Sequence, residues 1–283
     1  MPIVGKLKRA AANPAPYLYK VVRKLFGRSY LPIGFRIWLG NNLSSKRGTS
    51  KFRSAYVVTY GRSGSTLITG YLSRLPGFDI RGENFLFPMH GYYAEKAVLE
   101  SRKKPYGGRD SQAHPWYGTQ LFNAKRFRED FTRAMLNQLY PNTPIPRTIG
   151  FKEIRYWRFV KKEDFAPLLD WLRSLREPGA VVFMFRDLDK VMSSAWWANL
   201  EPEQAEKSRI RLEKFEAQCR EYNAANPDNS IIVTYEEFTT TAEMPKRICD
   251  FFGVPFDESV WQDTLNSKYS WKTERGEKIE EEG

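Results

Sequence analysis

Six residues, Gly61-Arg62-Ser63-Gly64-Ser65-Thr66, follow an apolar, β-branched run over 55–60 and precede a helical stretch. A strand that passes through a glycine-rich turn into a helix is the outline of an anion cradle. The glycines let the backbone come close, and the helix N-terminus offers N–H groups that have no intrahelical partner. The pattern is not the GxxxxGK[ST] phosphate loop, because Gly64 or Ser65 stands where that loop requires lysine. The cation here is Arg62, whose planar guanidinium suits two-point recognition of phosphate or sulfate oxygens. A second pair is Arg186, at the end of the apolar run AVVFMF, and Ser194 eight residues later. Read as a helix, that spacing is about two turns and would let both residues grip a further phosphate. Either feature alone is ordinary, since most Gly/Ser-rich turns are only turns and a strand-end arginine usually forms a surface ion pair. Together they outline a site for a molecule with two anionic groups.

The elements that must position these residues alternate along the chain. Strands are expected over 55–60, 78–81, 148–156, 180–185 and 230–235, and helices over 66–75, 125–140, 164–175, 187–199, 204–225 and 242–252. The stretch 88–126, with PYGGRDSQAHPWYGT at its centre, reads as irregular and is expected to form a lid or acceptor-binding insertion. Strands alternating with helices imply an α/β class: a P-loop-like, three-layer fold with a mostly parallel central sheet flanked by helices. Ligands of such sheets bind beyond the carboxyl ends of the strands. The positions to interrogate are therefore 61–66, 81–84, 152–156, 186 and 235–237.

Composition narrows the choice of function. With 41% hydrophobic and 15% aromatic residues, the 283-residue chain can bury a substantial core. Two cysteines, Cys219 and Cys249, and two histidines, His90 and His114, supply neither a disulfide framework nor a zinc-ligand spacing, so no metal site is expected. Of the net charge of +12, all lies in residues 1–53, which carry twelve Lys/Arg and no Asp/Glu; the remaining 33 basic and 33 acidic residues cancel. The division expected is a basic N-terminal arm (1–53), one domain (54–270) and a charged tail (271–283). In the arm, Tyr17, Leu18, Val21, Val22, Leu25 and Phe26 recur at helical spacing with Lys20, Arg23 and Lys24 on the other side. Such a helix either packs on the body or lies on an anionic membrane surface. Nothing in the chain has the length of a membrane span or the form of a signal peptide, which favours a cytoplasmic protein, peripheral at most.

The cradle after the first strand closely resembles the 5'-phosphosulfate loop of the Golgi and bacterial sulfotransferases, including the tyrosylprotein and carbohydrate enzymes. The FRDLDKVMSS segment, with Arg186 and Ser194, resembles that family's 3'-phosphate motif. Two motifs of different kind, in order and on the right elements, are more specific than either, and the resemblance extends over about 55–252. It implies the donor 3'-phosphoadenosine-5'-phosphosulfate (PAPS), with cofactor contacts from Gly61, Arg62, Ser63, Gly64, Ser65, Thr66, Arg186 and Ser194. By the same resemblance Arg81-Gly82-Glu83-Asn84 makes Glu83 the catalytic base, and Phe151-Lys152-Glu153 makes Lys152 a cation at the transferred group. Val233-Thr234-Tyr235-Glu236-Glu237 likewise places Tyr235 on the adenine. The cytosolic small-molecule branch uses a loop lysine, a histidine base and C-terminal Arg-Lys-Gly and Gly-Asp-Trp-Lys segments. Here only Trp271-Lys272 and Arg275-Gly276 are reminiscent of them, which favours the glutamate-base branch.

The implied reaction is in-line sulfuryl transfer to an acceptor hydroxyl, with Arg62, Lys152 and the loop N–H groups stabilising charge that grows on the bridging oxygen. Glu83 would take the hydroxyl proton; pairing with Arg81 or Lys152 as a strut is its plainer role, and His90 is the rival base. Tyr92, Tyr93, Tyr106, Trp116 and Tyr117 would suit stacking on sugar rings, which favours a glycan or glycolipid acceptor. Two other classes remain. A P-loop kinase is disfavoured by the missing lysine, and a nucleic-acid or membrane adaptor working through the arm is disfavoured by the neutral body.

Overall fold

The computed structural model describes residues 33–43, 50–103, 110–141 and 145–267. Five strands, β1 (Ser54–Val58), β2 (Phe78–Arg81), β3 (Thr148–Glu153), β4 (Gly179–Phe185) and β5 (Ser230–Thr234), form one sheet. Its order is β2-β3-β1-β4-β5, and every neighbouring pair is parallel. The β-branched and aromatic runs SAYVV and GAVVFMF are buried throughout, as strands covered on both faces must be.

Side chains alternate along each strand between two separate apolar clusters. Tyr56, Val58, Val181, Phe183 and Phe185 point into one, while Ala55, Val57, Ala180, Val182 and Met184 point into the other. Eleven helices surround the described part of the sheet: α1 (Ile33–Leu43), α2 (Ser65–Arg74), α3 (Phe87–Arg102), α4 (Ala124–Leu139), α5 (Tyr156–Phe159), α6 (Lys162–Ser174), α7 (Leu188–Met192), α8 (Pro202–Ala225), α9 (Tyr235–Thr240), α10 (Glu243–Phe252) and α11 (Glu258–Asn266). α3, α4, α6 and α8 contribute Met89, Met135, Leu168 and Phe215 to the first cluster. α2, α9, α10 and α11 contribute Ile68, Phe238, Ile248 and Trp261 to the second. The result is the expected three-layer α/β arrangement. The chain leaves β1 for β2 on one side of the sheet and returns through β4 on the other, so the crevice for a ligand opens at the end of β1.

Three expectations need correction. The stretch 88–126 is not irregular throughout, because its first part belongs to α3, a 16-residue helix. The helix is held by Met89 and Tyr92 in the core and by Glu95, which is buried and paired with the Arg128 guanidinium and accepts a 2.7 Å hydrogen bond from Trp171 Nε1. Removing Arg128 would leave the buried Glu95 carboxylate with only the Trp171 hydrogen bond. Gly91 disguises the helix in the sequence, yet it is needed there: a Cβ would lie 2.3 Å from the Phe131 ring. Tyr92 and Tyr93 consequently pack and bond within the body, Tyr92 Oη donating to Asp164 at 3.0 Å, and do not form a sugar platform.

Second, the helix expected over 187–199 stops at Met192. Ser193 caps it, Ser194 is extended, Ala195 turns left-handed at φ +53°, and a 3-10 turn covers Ala195–Asn199. Ser194 therefore reaches the site from a loop. Third, β3 ends at Glu153 rather than at Tyr156. Part of the basic arm is also built into the body. In α1, Leu39 and Arg36 are buried, the Arg36 guanidinium donates to Asn137 Oδ1 at 2.9 Å and to the Tyr140 carbonyl, and Ile145 N donates to Arg36 O at 2.9 Å. The amphipathic stretch 17–26, Tyr106 and the charged tail, with Trp271 and Arg275, lie outside the described residues.

Candidate active site

The cradle forms because Gly64 can do two things at once. Its φ of +88° lets the chain enter α2 abruptly, and its carbonyl receives the N–H groups of Leu67 (2.9 Å) and Ile68 (3.3 Å). A Cβ at this position would also sit 2.3 Å from the Tyr235 ring. Arg62 adopts φ +71° without the glycine exemption, a conformation that costs about 1–2 kcal/mol and persists only where neighbours enforce it. The enforcing contacts are visible: Arg62 Nε donates to Ser194 Oγ at 3.1 Å, and Arg186 Nη1 donates to the Arg62 carbonyl at 3.2 Å.

Arg186 stands one residue past β4. Its backbone N–H donates to Tyr60 Oη (3.2 Å), and that hydroxyl in turn donates to Glu216 Oε1 (2.5 Å). The guanidinium lies 4.6 Å above the Tyr235 ring, a cation–π contact, and its Nε is buried without a hydrogen-bond partner. Lys152, on β3, is almost fully covered. Its Nζ donates to Glu83 Oε1 at 2.8 Å and lies 3.5 Å from Thr66 Oγ1 of the cradle. Glu83 itself follows β2 and is gripped twice, since Arg155 Nη1 lies 2.8 Å from its other oxygen. Partial burial pushes the Glu83 carboxyl up, but Lys152 and Arg155 together outweigh it and hold the group below the ordinary carboxylate range.

These residues share one cleft of 240 Å³, lined by Gly61, Arg62, Gly64, Ser65, Thr66, Leu67, Glu83, Lys152, Ile154, Arg186, Trp196 and Tyr235. The structure thus brings together nine of the eleven residues expected from the sequence. Ser63 is different: it is buried, and its hydroxyl lies 2.7 Å from Thr59 Oγ1, which lies 2.5 Å from the Met184 carbonyl. Its side chain braces the loop on β4, and the residue does not line the cleft. Ser194 joins the site through Arg62. The strut expected of Glu83 is present on Lys152, whereas Arg81 pairs with Asp79 instead. His90 lies exposed on α3 and does not line the cleft. Two neighbours of the site were given no role by the sequence reading. Arg155 carried no motif, and Trp196, whose indole covers Gly61, sits in the segment misread as helix.

The sequence model described as the sulfotransferase family matches residues 55–258, well over half of the chain. The chain belongs to the sulfotransferase family. The match starts on β1, takes in the cradle and both strand-end cations, and ends at the start of α11. Among solved structures, this sulfotransferase is similar to the sulfotransferase domain from the Synechococcus PCC 7002 olefin synthase, at 18% identity and a TM-score of 0.48, covering 79% of this chain and 81% of that one. It is also similar to the sulfotransferase STF9 from Mycobacterium avium, at 11% identity and a TM-score of 0.39, covering 76% of this chain and 67% of that one. Comparison with curated proteins by sequence returns no match. Among the described residues no helix is long and apolar enough to cross a membrane.

The donor that the family implies is PAPS, and the donor set fits it. Arg62, Lys152 and Arg186, the hydroxyls of Ser65 and Thr66 and the first N–H groups of α2 converge on one cleft, with an unmatched N–H on Arg186. Gly64→Ala is expected to strain the turn and displace Tyr235. The measurable outcome is a loss of adenosine 3',5'-bisphosphate affinity larger than the loss of thermal stability.

Proposed function

We propose that this sulfotransferase moves the sulfuryl group of PAPS onto a hydroxyl of a glycan or glycolipid, with Glu83 as general base. The observation that carries the proposal is the meeting of a carboxylate and two cations in the anion cradle: Glu83, Lys152 and Arg62 line the same cleft. Glu83 accepts the hydroxyl proton as the acceptor oxygen forms its bond to sulfur. The bond from sulfur to the bridging oxygen breaks, and the electron pair stays on that oxygen of the departing adenosine 3',5'-bisphosphate. Lys152 and Arg62 offset the charge that grows there, and the fixed N–H groups of the cradle add to this without reorganising. Arg186, with Ser194 beside Arg62, holds the 3'-phosphate, and Tyr235 meets the adenine.

Support for a sugar-bearing acceptor comes from two exposed aromatic side chains, Phe85 two residues after Glu83 and Trp196 against Gly61 of the cradle. Phe85 is 75% exposed and Trp196 51% exposed, shapes suited to stacking on a sugar ring. Of the aromatic residues expected to serve this role in 88–126, Tyr92 and Tyr93 pack into the body, whereas Tyr117 is 52% exposed. A peripheral contact with anionic lipid would be carried by the basic residues of 1–53, Arg36 excepted because it is buried.

Adenosine 3',5'-bisphosphate tests the donor assignment directly. At 100 times its dissociation constant a ligand of the native state adds about 2.7 kcal/mol, which for a chain of this size raises the thermal midpoint on the order of 5 °C. ATP with Mg²⁺ is expected to raise it much less. Equal stabilisation by ATP, or none by the bisphosphate, would replace this reading with a kinase or leave the cleft without a nucleotide.

A further inference from the structure

Glu83 sits on a short connection between β2 and α3 whose backbone is unfavourable by itself. Phe85 and Leu86, the second and third residues after it, adopt φ of +52° and +62° in succession. Each costs about 1–2 kcal/mol for a side chain with a Cβ, so the turn needs an external hold. That hold is Glu153, the last residue of β3, whose side chain is fully buried. Its Oε2 accepts from Leu86 N at 2.9 Å, and its Oε1 accepts from Ile154 N at 2.9 Å and from Arg155 Nη1 at 2.9 Å. The same Arg155 nitrogen lies 2.8 Å from Glu83 Oε2, and the guanidinium covers the Phe85 ring at 5.3 Å. One buried carboxylate thus fixes both the turn that carries Glu83 and the arginine that holds its carboxylate.

The two cations on Glu83 are not equivalent. Arg155 is tied through the same Nη1 to an immobile partner, Glu153, and its guanidinium lies over the Phe85 ring. Lys152 is a single flexible ammonium within 3.5 Å of Thr66 Oγ1 in the anion cradle, so it can turn from the carboxylate to an anion held there without leaving its place on β3. We infer that Arg155, anchored on Glu153, is a positioning residue for sulfuryl transfer: it holds Glu83 Oε2 throughout, so that Oε1 faces the acceptor hydroxyl once Lys152 turns to the donor. The inference rests on the reading of Glu83 as the base. The charged groups acting on Glu83 are these two, Lys152 from β3 and Arg155 from the connection after it, and neither is on the Glu83 segment.

The test compares Arg155→Met and Arg155→Lys in the parent and in a Glu83→Gln background. The readouts are turnover at saturating PAPS, the pH dependence of kcat/KM, and affinity for adenosine 3',5'-bisphosphate. Arg155→Met is expected to lower kcat about a hundredfold, the effect of a reacting group displaced by an ångström, with nucleotide affinity unchanged. The acid limb of its kcat/KM profile moves to higher pH, because a cation that keeps Glu83 ionised has been removed. Arg155→Lys keeps the charge but loses the planar guanidinium over Phe85 and the fixed reach of Nη1 to both carboxylates, so its acid limb stays near the parent while kcat still falls. This variant serves if the methionine protein does not fold. In the Glu83→Gln background either change costs less than about threefold, since Arg155 acts through Glu83. Parental kcat in Arg155→Lys, or the full loss persisting in the Glu83→Gln background, overturns the positioning role. Parental turnover in Glu83→Gln alone overturns the base assignment instead, so the two failures are distinct.

Discussion

Glu83→Gln is expected to lower turnover by a factor of about 10² to 10⁴, the usual contribution of a positioned general base, while leaving affinity for adenosine 3',5'-bisphosphate nearly intact. Glutamine has the size of glutamate, and its carbonyl oxygen still accepts from Lys152 or Arg155, so the cleft keeps its shape. What it lacks is the capacity to take a proton. His90→Ala is the paired control and is expected to cost little, because His90 is exposed on α3 and does not line the cleft. Near-parental turnover in Glu83→Gln together with inactivity in a folded His90→Ala would hand the base role to the histidine. The pH dependence follows from the sign of the Glu83 shift. With Lys152 and Arg155 holding its pKa below the ordinary value, the carboxylate stays ionised through neutrality, and activity is lost only as pH falls through that lowered pKa.

The second large effect separates binding from chemistry. Arg186→Ala is expected to weaken nucleotide binding mainly, whereas Lys152→Ala is expected to lower turnover at saturating PAPS mainly. Arg186 is placed for a phosphate that does not change during transfer, so its loss removes binding that ground state and transition state share. Lys152 is placed where charge grows only as the bond to the bridging oxygen breaks. Its removal also leaves Glu83 with Arg155 alone, so the Lys152→Ala rate is best read beside that of Glu83→Gln. A large rise in KM for PAPS with unchanged kcat in Lys152→Ala, and the converse in Arg186→Ala, would exchange the two roles.

What could be read from the sequence was what depends on local chemistry. The runs SAYVV and GAVVFMF are apolar and β-branched enough to be strands, and the Gly61–Thr66 turn can hardly be anything but a tight turn into a helix. Cations at strand ends became a site through the parallel sheet, which delivers Arg62, Lys152 and Arg186 to one edge. What could not be read depended on tertiary partners. The α3 helix has a proline, a glycine and two adjacent tyrosines, and it is justified only by the Glu95–Arg128 pair and the approach of Phe131. The break at Ser193 follows from Arg62 reaching Ser194 across 132 residues of chain and from Trp196 covering Gly61, neither of which leaves a periodic signal. Arg155 was equally silent, since its meaning lies in two carboxylates from different strand ends.

The central claim is that this cleft transfers a sulfuryl group from PAPS to a hydroxyl, and the most direct measurement is a transfer assay with PAPS carrying radioactive sulfur. The purified full chain is presented with saccharide, glycolipid, tyrosyl-peptide and phenolic acceptors, and labelled product is counted beside the adenosine 3',5'-bisphosphate released. The account predicts label on a sugar-bearing acceptor in equal amount to the bisphosphate, abolished in Glu83→Gln. Label confined to a peptide or phenol would contradict the acceptor class. Absence of transfer to every hydroxyl tested, from a folded protein that binds adenosine 3',5'-bisphosphate, would contradict the claim itself.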